Sequence, residues 1–237
     1  MNKILITGAS SSIGNKLICK IDKKNQIIIA HYNKSKKFLK FIKSRKFKSK
    51  IILVKSNFSK KNDLNIFLKK IKKFDINSIV HISSKRISIK RFEKIKLNEF
   101  HNEIKLSFNS IVEIIKLAVP NMLRKKRGRV IFVLSSVTFN KPASYLAPYV
   151  CLKYLLLGLI KSLASEFKNT GINFNSVSPT MMDTPFIKNL DKKFIEINES
   201  FGSSKKLLKL DKVVKKIHYL LSPKSKNINS KNFLLKG

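Results

Sequence analysis

The stretch YLAPYVCLKY, residues 145–154, contains three tyrosines and one lysine, and these side chains can carry a proton in catalysis. Pro148 fits the first turn of a helix, so a helix is predicted to begin here. On that helix Tyr149 and Lys153 are four residues apart and share one face. A phenol has a pKa of about 10, and a neighbouring cation lowers it. The pair therefore has the chemistry of an acid–base unit that works near neutral pH.

Lysine is so abundant in this chain that the same spacing also arises without function. Lys and Arg together make up 51 of the 237 residues. Tyr32 also has a lysine four positions on, at Lys36. The pair alone leaves a catalytic and a structural interpretation open, and the rest of the chain has to decide between them.

The net charge of +38 is extreme. Clustered basic residues would favour nucleic acid, an anionic membrane or an acidic partner. The lysines are instead spread along the whole chain, and the dominance of Lys, Asn, Ile, Phe and Ser is typical of an AT-rich genome. The phenylalanines lie in periodic apolar runs rather than in a stacking stripe, so nucleic acid is not expected as a partner.

The two cysteines, Cys19 and Cys151, are too few and too badly spaced for a disulfide framework or a metal site. Both fall in helical patterns and are predicted to be small core residues in a reducing compartment. No apolar run approaches the ~20 residues of a membrane helix, and the first residues lack the apolar region of a signal peptide. These features predict a soluble cytoplasmic chain that does not bind a membrane.

Short, nearly continuous apolar runs alternate with longer amphipathic ones, as expected of strands buried on both faces and of helices that cover them. The predicted strands lie at 4–7, 27–30, 51–54, 78–82, 129–134, 172–177 and 232–235, and the predicted helices near 12–21, 35–46, 61–73, 98–125, 149–169 and 211–221. This alternation indicates one α/β domain over residues 1–237, a doubly wound parallel sheet with helices on both faces. The irregular stretch near 185–209 is predicted to be an insertion of helix and loop.

The first predicted strand runs directly into TGASSSIG, Thr7 to Gly14, and then into a helix. Doubly wound sheets bind ligands at the carboxyl ends of their strands, where the strand order reverses. Gly8 permits a sharp exit from the strand, and Gly14 lets the helix pack closely on the sheet. The helix N-terminus and the three serine hydroxyls between the glycines favour a bound pyrophosphate, although such turns also serve as plain packing.

Several segments resemble the short-chain dehydrogenase/reductase family, and together they span the chain. The turn is similar to the family's T-G-x-x-x-G-x-G fingerprint, with Ser12 in place of the middle glycine. GRVIFVLSSV resembles the family's fifth strand with its catalytic serine, and Ser136 lies thirteen residues before Tyr149, which matches the Tyr-x-x-x-Lys pair with Lys153. SVSPTMMDTPF resembles the P-G-x-x-x-T segment with Thr184 retained, and LDKVVKKIHYLLS and NFLLKG resemble the last helix and strand.

The resemblance implies a Rossmann-like fold of about seven strands and hydride transfer between a nicotinamide and a carbonyl or alcohol carbon. It implies that Tyr149 exchanges the proton, that Ser136 binds the substrate oxygen, and that Lys153 binds the nicotinamide ribose and lowers the Tyr149 pKa. Ser135 takes the place of Ser136 if the register shifts by one. The implied cofactor contacts are Gly8, Ser10, Ser11, Ser12, Ile13, Gly14, Asn33, Lys34, Ser35, Asn57, Phe58, Ser83, Tyr149, Lys153, Pro179, Met182 and Thr184, with Asn57 and Phe58 near the adenine and Thr184 at the carboxamide.

The chain departs from the family pattern at two places. The N-N-A-G segment after the fourth strand is HISS here, residues 81–84, and its His81 is predicted to be a packed residue rather than a catalyst. Ser107 stands where the family has an asparagine thought to hold a water of the proton relay. Serine is shorter but still binds water, so Ser107 is kept as a catalytic candidate, whereas Asn109 points to another face. The departures suggest, as an alternative, an inactive NADP-binding regulator, which the intact Ser136–Tyr149–Lys153 set opposes.

The end of the second strand predicts the cofactor. NAD enzymes place an acid there to bind the ribose 2′-hydroxyl, but no acid occurs between Asp22 and Asp63. Asn33, Lys34 and Ser35 suit a 2′-phosphate, and HYNKS resembles the corresponding segment of NADP-using pteridine-type reductases. NADPH is therefore the predicted cofactor, and NAD stays possible.

The substrate is not encoded in any single residue. The expected partner is a small carbonyl or alcohol; a 3-oxoacyl group on an acidic acyl carrier protein suits the basic surface, and a sugar or another metabolite fits as well. Family members commonly form dimers or tetramers through the fourth and fifth helices. A homodimer or homotetramer is expected, because more apolar residues occur there than one buried face needs: Ile111, Ile114, Ile115, Leu155, Leu156 and Leu159.

Overall fold

A seven-stranded, entirely parallel sheet forms the centre of the computed structural model, which describes residues 1–139, 142, 144–182, 184–185 and 207–237. The strands are β1 (Asn2–Thr7), β2 (Gln26–Tyr32), β3 (Lys50–Lys55), β4 (Ser78–His81), β5 (Gly128–Val133), β6 (Ile172–Pro179) and β7 (Asn232–Leu235). The helices are α1 (Ser12–Ile21), α2 (Lys36–Lys43), α3 (Lys61–Lys72), α4 (Leu97–Glu103), α5 (Ser110–Arg124), α6 (Ala147–Glu166) and α7 (Leu210–Leu221). This architecture confirms the predicted fold class.

The strand order is β3-β2-β1-β4-β5-β6-β7. From β1 the chain first builds outward to β3 and then crosses back to β4 on the other side of β1. The crevice between the carboxyl ends of β1 and β4 is therefore the topological switch point, where folds of this type bind their ligands.

Each face of the sheet carries its own apolar core. Leu5 packs with α3, α5 and α6 on one face, whereas its neighbours Ile4 and Ile6 pack with α1 and α7 on the other. In β5, Phe132 and Ile131 divide between the two cores in the same way. Successive side chains of a strand point to opposite faces, so apolar residues at every position require helices on both sides.

Two predictions about elements need correction. The predicted helix 98–125 is not one regular helix, because a π-helical segment, Ile104–Asn109, separates α4 from α5. Cys19 and Cys151 do lie on helices, α1 and α6, but both are exposed rather than in the core. Most of the predicted insertion lies outside the described residues, which omit 186–206.

The predicted surplus of apolar residues on the later helices is smaller than the sequence suggests. Four of the six residues are buried within the single chain: Ile111, Ile114, Ile115 and Leu156. Two helical stretches, Leu97–Arg124 and Ala147–Glu166, are long and apolar enough to cross a membrane by length and composition alone. That is weak support for a membrane span, because core helices such as these, which pack against the sheet, pass the same test.

Candidate active site

The turn after β1 forms a cradle in which no side chain fits at two positions. Gly8 has φ +68°, and a Cβ there would lie 2.9 Å from the Ser83 nitrogen. A Cβ at Gly14 would lie 2.4 Å from the Ala9 carbonyl oxygen. Ser11 caps α1, since its hydroxyl accepts a hydrogen bond from the Gly14 N–H at 3.1 Å. The turn thus brings the start of α1 close behind β1, an arrangement that fits a bound pyrophosphate.

The other residues expected at this turn lie with it. Ser10 and Ser12 are half-buried, Ser12 opens α1, and Ile13 is buried in the core on that face.

A buried histidine that the sequence did not single out supports this turn from behind. The Gly8 N–H donates to His31 Nδ1 at 3.1 Å, so Nε2 carries the proton and donates to the Ser56 carbonyl at 3.1 Å. Burial lowers the pKa of His31 to about 4, which keeps the ring neutral. The ring stacks on Phe58 at 3.8 Å, and Phe58 is itself buried. The Phe58 ring therefore packs in the core. Of the two residues expected near adenine, half-buried Asn57 is the more accessible.

The residues expected to hold a 2′-phosphate follow β2 directly. Ser35 caps α2, because its hydroxyl accepts a hydrogen bond from the Phe38 N–H at 3.1 Å. Lys34 is exposed, and Asn33 is half-buried beside it. A lysine and two short polar side chains thus lie together at the start of a helix, which is a favourable place for an anion.

Helix α6 begins at Ala147, with Pro148 in its first turn as predicted, and carries Tyr149 and Lys153. The Lys153 ammonium lies 5.3 Å from the centroid of the Tyr149 ring. It is buried and donates to the Val133 carbonyl, at the end of β5, at 3.1 Å. The structure therefore brings the predicted pair together at the carboxyl edge of the sheet.

The serine nearest to the phenol is Ser135. Its side chain hydrogen-bonds the Tyr149 phenol, and it accepts from the Val137 N–H at 3.4 Å. Ser136, the predicted catalytic serine, is half-buried and opens the short 3₁₀ turn Ser136–Thr138. Both serines are thus placed on the turn between β5 and α6, and the assignment of Ser136 stays a prediction.

The expected lowering of the Tyr149 pKa is wrong, because the structure shows the opposite direction. Burial raises the pKa of the phenol to about 12; the Ser135 hydrogen bond lowers it, and the Glu103 carboxylate raises it again. Burial also lowers the pKa of Lys153 to about 8, against the attraction of Glu103. The Lys153 ammonium donates to the Val133 carbonyl and is not among the groups that lower the Tyr149 pKa. At neutral pH the phenol is protonated and therefore a proton donor.

The HISS segment and Ser107 meet at the switch point. The Ser107 hydroxyl, fully buried, donates to the Ser83 carbonyl at 2.6 Å, and His81 Nδ1 shares a hydrogen bond of 2.8 Å with the Thr7 hydroxyl. His81 is packed as predicted, but among the residues that the structure describes its Nε2 has no hydrogen-bond partner. Exposed Asn109 ends the π-helical segment, away from fully buried Ser107.

The last predicted cofactor residues follow β6. Pro179 ends that strand, Met182 is half-buried against the core beside α1 and α7, and Thr184 is buried. Within the described part of the chain, no group of three side chains suited to a metal ion occurs.

The glycine cradle at the switch point of the sheet, and half-buried Tyr149 with buried Lys153 beyond β5, have the arrangement that the sequence resemblance implied. In agreement, residues 2–194 match the model of the short chain dehydrogenase family, and the chain belongs to this family. It is 23% identical to an uncharacterized oxidoreductase of Staphylococcus epidermidis, over 95% of this chain and 93% of that protein. It is 25% identical to a 3-oxoacyl-(acyl-carrier-protein) reductase, FabG, of Buchnera aphidicola, over 92% of this chain and 89% of that protein.

Solved structures share the fold at low sequence identity. A 4-hydroxyisoleucine dehydrogenase complexed with NADH has a TM-score of 0.88 at 21% identity and covers 100% of this chain and 98% of its own. A 3-oxoacyl (acyl-carrier-protein) reductase from Agrobacterium tumefaciens with NADP bound has a TM-score of 0.85 at 18% identity, covering 100% and 93%. The fold thus occurs with either nicotinamide cofactor.

Acid should destabilise the protein partly through His81. Burial lowers the pKa of His81 to about 3, so between pH 6.5 and pH 3 the unfolded chain binds a proton that the native one does not. Stability then falls as the pH drops through this window, by about 2 kcal/mol between pH 6.5 and pH 5. His81→Asn should reduce this slope in urea unfolding at several pH values. An unchanged slope in His81→Asn would show that native His81 does take up the proton.

Proposed function

We propose that the protein is an NADP(H)-dependent oxidoreductase that interconverts a small ketone and a secondary alcohol by hydride transfer. The observation that supports this most directly is the pair of half-buried Tyr149 and buried Lys153, with Ser135 hydrogen-bonded to the phenol. The pair lies at the carboxyl edge of a sheet whose first turn is a glycine cradle. Membership of the short chain dehydrogenase family is consistent with an enzyme of this kind. A cytoplasmic location is part of the same proposal.

In this proposal the bound nicotinamide supplies the hydride, and the protein's residues handle the proton and the charge. Tyr149, protonated at neutral pH, donates its proton to the substrate oxygen. Ser136 or Ser135 hydrogen-bonds that oxygen and stabilises the charge that develops on it. Lys153 binds the nicotinamide ribose through its ammonium.

The region beside Tyr149 suits a substrate with an anionic portion. A cleft of about 380 Å³ lies between residues 90–95 and residues 144–147, two positions before the catalytic tyrosine. Arg91 and half-exposed Tyr145 line the cleft; Lys90 lines it too but is paired with Glu99 at 2.9 Å, and Glu93 adds one negative charge. The similarity to 3-oxoacyl-(acyl-carrier-protein) reductases and the net charge of +38 support an acyl carrier protein as the substrate's carrier. A small free metabolite is the alternative substrate.

Tyr149→Phe tests the proposed acid. The substitution keeps the ring and removes only the hydroxyl, so folding and NADPH binding should survive while turnover falls at least ~10²-fold, as is typical of lost acid–base catalysis. The measurement follows NADPH consumption on a panel of ketones that includes 3-oxoacyl thioesters. Tyr145→Phe is the matched control and should change the rate far less. Full activity in Tyr149→Phe would refute the role of this tyrosine.

The same assay separates the two serines and the competing function. The serine that binds the substrate oxygen should lose about 10²-fold or more in kcat when changed to alanine, whereas the other should lose little. A wild type that binds NADPH but reduces nothing on the panel would favour the inactive regulator. In that case Ser107→Asn is the first substitution to test for a gain of activity.

NADPH should bind more tightly than NADH, and high salt should narrow the difference because it screens the 2′-phosphate. The proposed site is Asn33, Lys34 and Ser35, at the end of β2. Lys34→Gln should cost NADPH about 10-fold in affinity, the value of one hydrogen bond to a charged group, and leave NADH unaffected. Calorimetry measures both, with Lys37→Gln on the exposed side of α2 as the control. Equal or tighter NADH binding at low salt would contradict the assignment.

The chain should associate through α6. Only 28% of the apolar stretch of this helix is buried within the single chain, and Tyr154 and Leu155 are 46% and 38% exposed. A second copy would cover this face. Light scattering in moderate salt should give a dimer or tetramer, which Leu155→Lys should weaken. Ile66→Lys, at an exposed apolar site on α3, is the control; a monomeric wild type would refute the proposed assembly.

A further inference from the structure

A buried carboxylate lies close to the proposed catalytic pair. Glu103 is the last residue of α4, which packs against α6, and it is only 9% exposed. Acidic residues are almost never buried to this extent unless they are paired. Among the described residues, however, its Oε2 has no hydrogen-bond partner, and it forms no ion pair within the usual contact distance. A buried polar atom without a partner needs a functional or structural explanation.

Titratable groups face Glu103 from α6 and from the segment after β4. Lys153 and Tyr149 face it from α6, and Lys85 faces it from the segment after β4. His81, at the end of β4, in turn faces Lys153. Burial raises the pKa of Glu103, and the two lysines work in the opposite direction. The carboxylate is thus an acid held next to the one buried lysine of the site.

The buried ammonium of Lys153 needs an opposite charge nearby, and the Glu103 carboxylate can supply it. Its ammonium is 4% exposed, and its described hydrogen bond goes to the neutral Val133 carbonyl, which carries no compensating charge. A buried ammonium loses its hydration and tends to give up its proton unless an opposite charge is near. Ribose binding and stabilisation of a phenolate both require the charged form. The nearest acid from a neighbouring helix is therefore in a position to keep that charge in place.

We propose that Glu103 is a positioning residue of the Tyr149–Lys153 site, whose buried carboxylate acts as the counter-ion that keeps Lys153 protonated. The inference rests on the proposed role of Lys153 and adds to it a residue outside the motifs that suggested the site. Glu103 acts through the lysine and does not touch the substrate. Because it acts through its charge rather than through a direct contact, its neutral isostere should leave the packing intact and change only the titration.

Glu103→Gln should lower the pKa of Lys153 by about one unit, as expected for a charge removed at close range in the protein interior. The readout is the pH titration of lysine Cε–Hε signals in ¹³C-labelled protein without cofactor, with the Lys153 signal identified by its loss in Lys153→Arg. Glu103→Asp keeps the charge and should largely retain the wild-type titration. Glu113→Gln removes an exposed carboxylate of α5 and should change nothing.

The stability of the variant distinguishes this role from a purely structural one. Loss of a counter-ion should make Glu103→Gln less stable than the wild type in urea only at pH values where Lys153 is protonated, below its pKa of about 8, whereas loss of a structural contact would lower the midpoint at every pH. If Glu103→Gln does not fold, Glu103→Met, which is similar in volume and also neutral, takes its place in the titration. An unchanged Lys153 titration in a folded neutral variant would overturn the proposal.

Activity provides an independent arm. Reduction that needs the Lys153 ammonium declines as pH rises through the pKa of that group, so in Glu103→Gln this alkaline limb should move to lower pH by the same amount. If the wild type reduces no carbonyl, the proposed function fails, but the lysine titration still decides the role of Glu103. If the limb and the titration both stay in place, Glu103 is not the counter-ion.

Discussion

The hydrogen bond from the Lys153 ammonium to the Val133 carbonyl ties the helix that carries the candidate catalytic groups to the sheet that carries the cofactor cradle. Burying an ammonium is costly, and one carbonyl does not supply an opposite charge. Helix α6 packs its apolar side on β6, and Lys153 is buried beneath it. Through this one contact the position of Tyr149, one turn earlier, is fixed relative to the end of β5.

The rest of the site follows from the order of the strands. Because β1 and β4 are neighbours although they are far apart in sequence, the glycine turn, the HISS segment and Ser107 converge at one edge. Gly8 lies so close to Ser83 that a side chain at Gly8 would collide with the backbone after β4. A neutral His31 completes the arrangement from β2, so three parallel strands hold the turn.

Sequence patterns predicted the fold well, because strands buried on both faces give continuous apolar runs and few arrangements alternate them with helices. The bounds of α1 and β7 agree with the prediction at both ends. Features that depend on contacts between distant elements were not predictable. Helical periodicity did not determine whether Cys19 and Cys151 face the core or the solvent, and both are exposed. The four-residue spacing predicted that Tyr149 and Lys153 lie close together, but not that the ammonium points to the Val133 carbonyl. The burial of Glu103 was not predictable from its own segment, because it depends on the packing of α4 against α6.

The π-helical segment Ile104–Asn109 determines how α4 is rotated about the helix axis relative to α5. Each of its hydrogen bonds spans one residue more than in an α-helix, and in an α-helix one residue corresponds to a rotation of about 100°. The apolar side of α5 is fixed on the sheet by residues such as Ile111 and Ile114. A continuous α-helix with α5 held in that orientation would rotate Glu103 away from α6. The direction in which this acid points is therefore set by the one extra residue that the π-helical segment holds. Deleting a single residue between positions 104 and 109 would allow a regular α-helix with Glu103 still directed at α6, whereas conversion of the segment to α-helix at its present length would turn the carboxylate away.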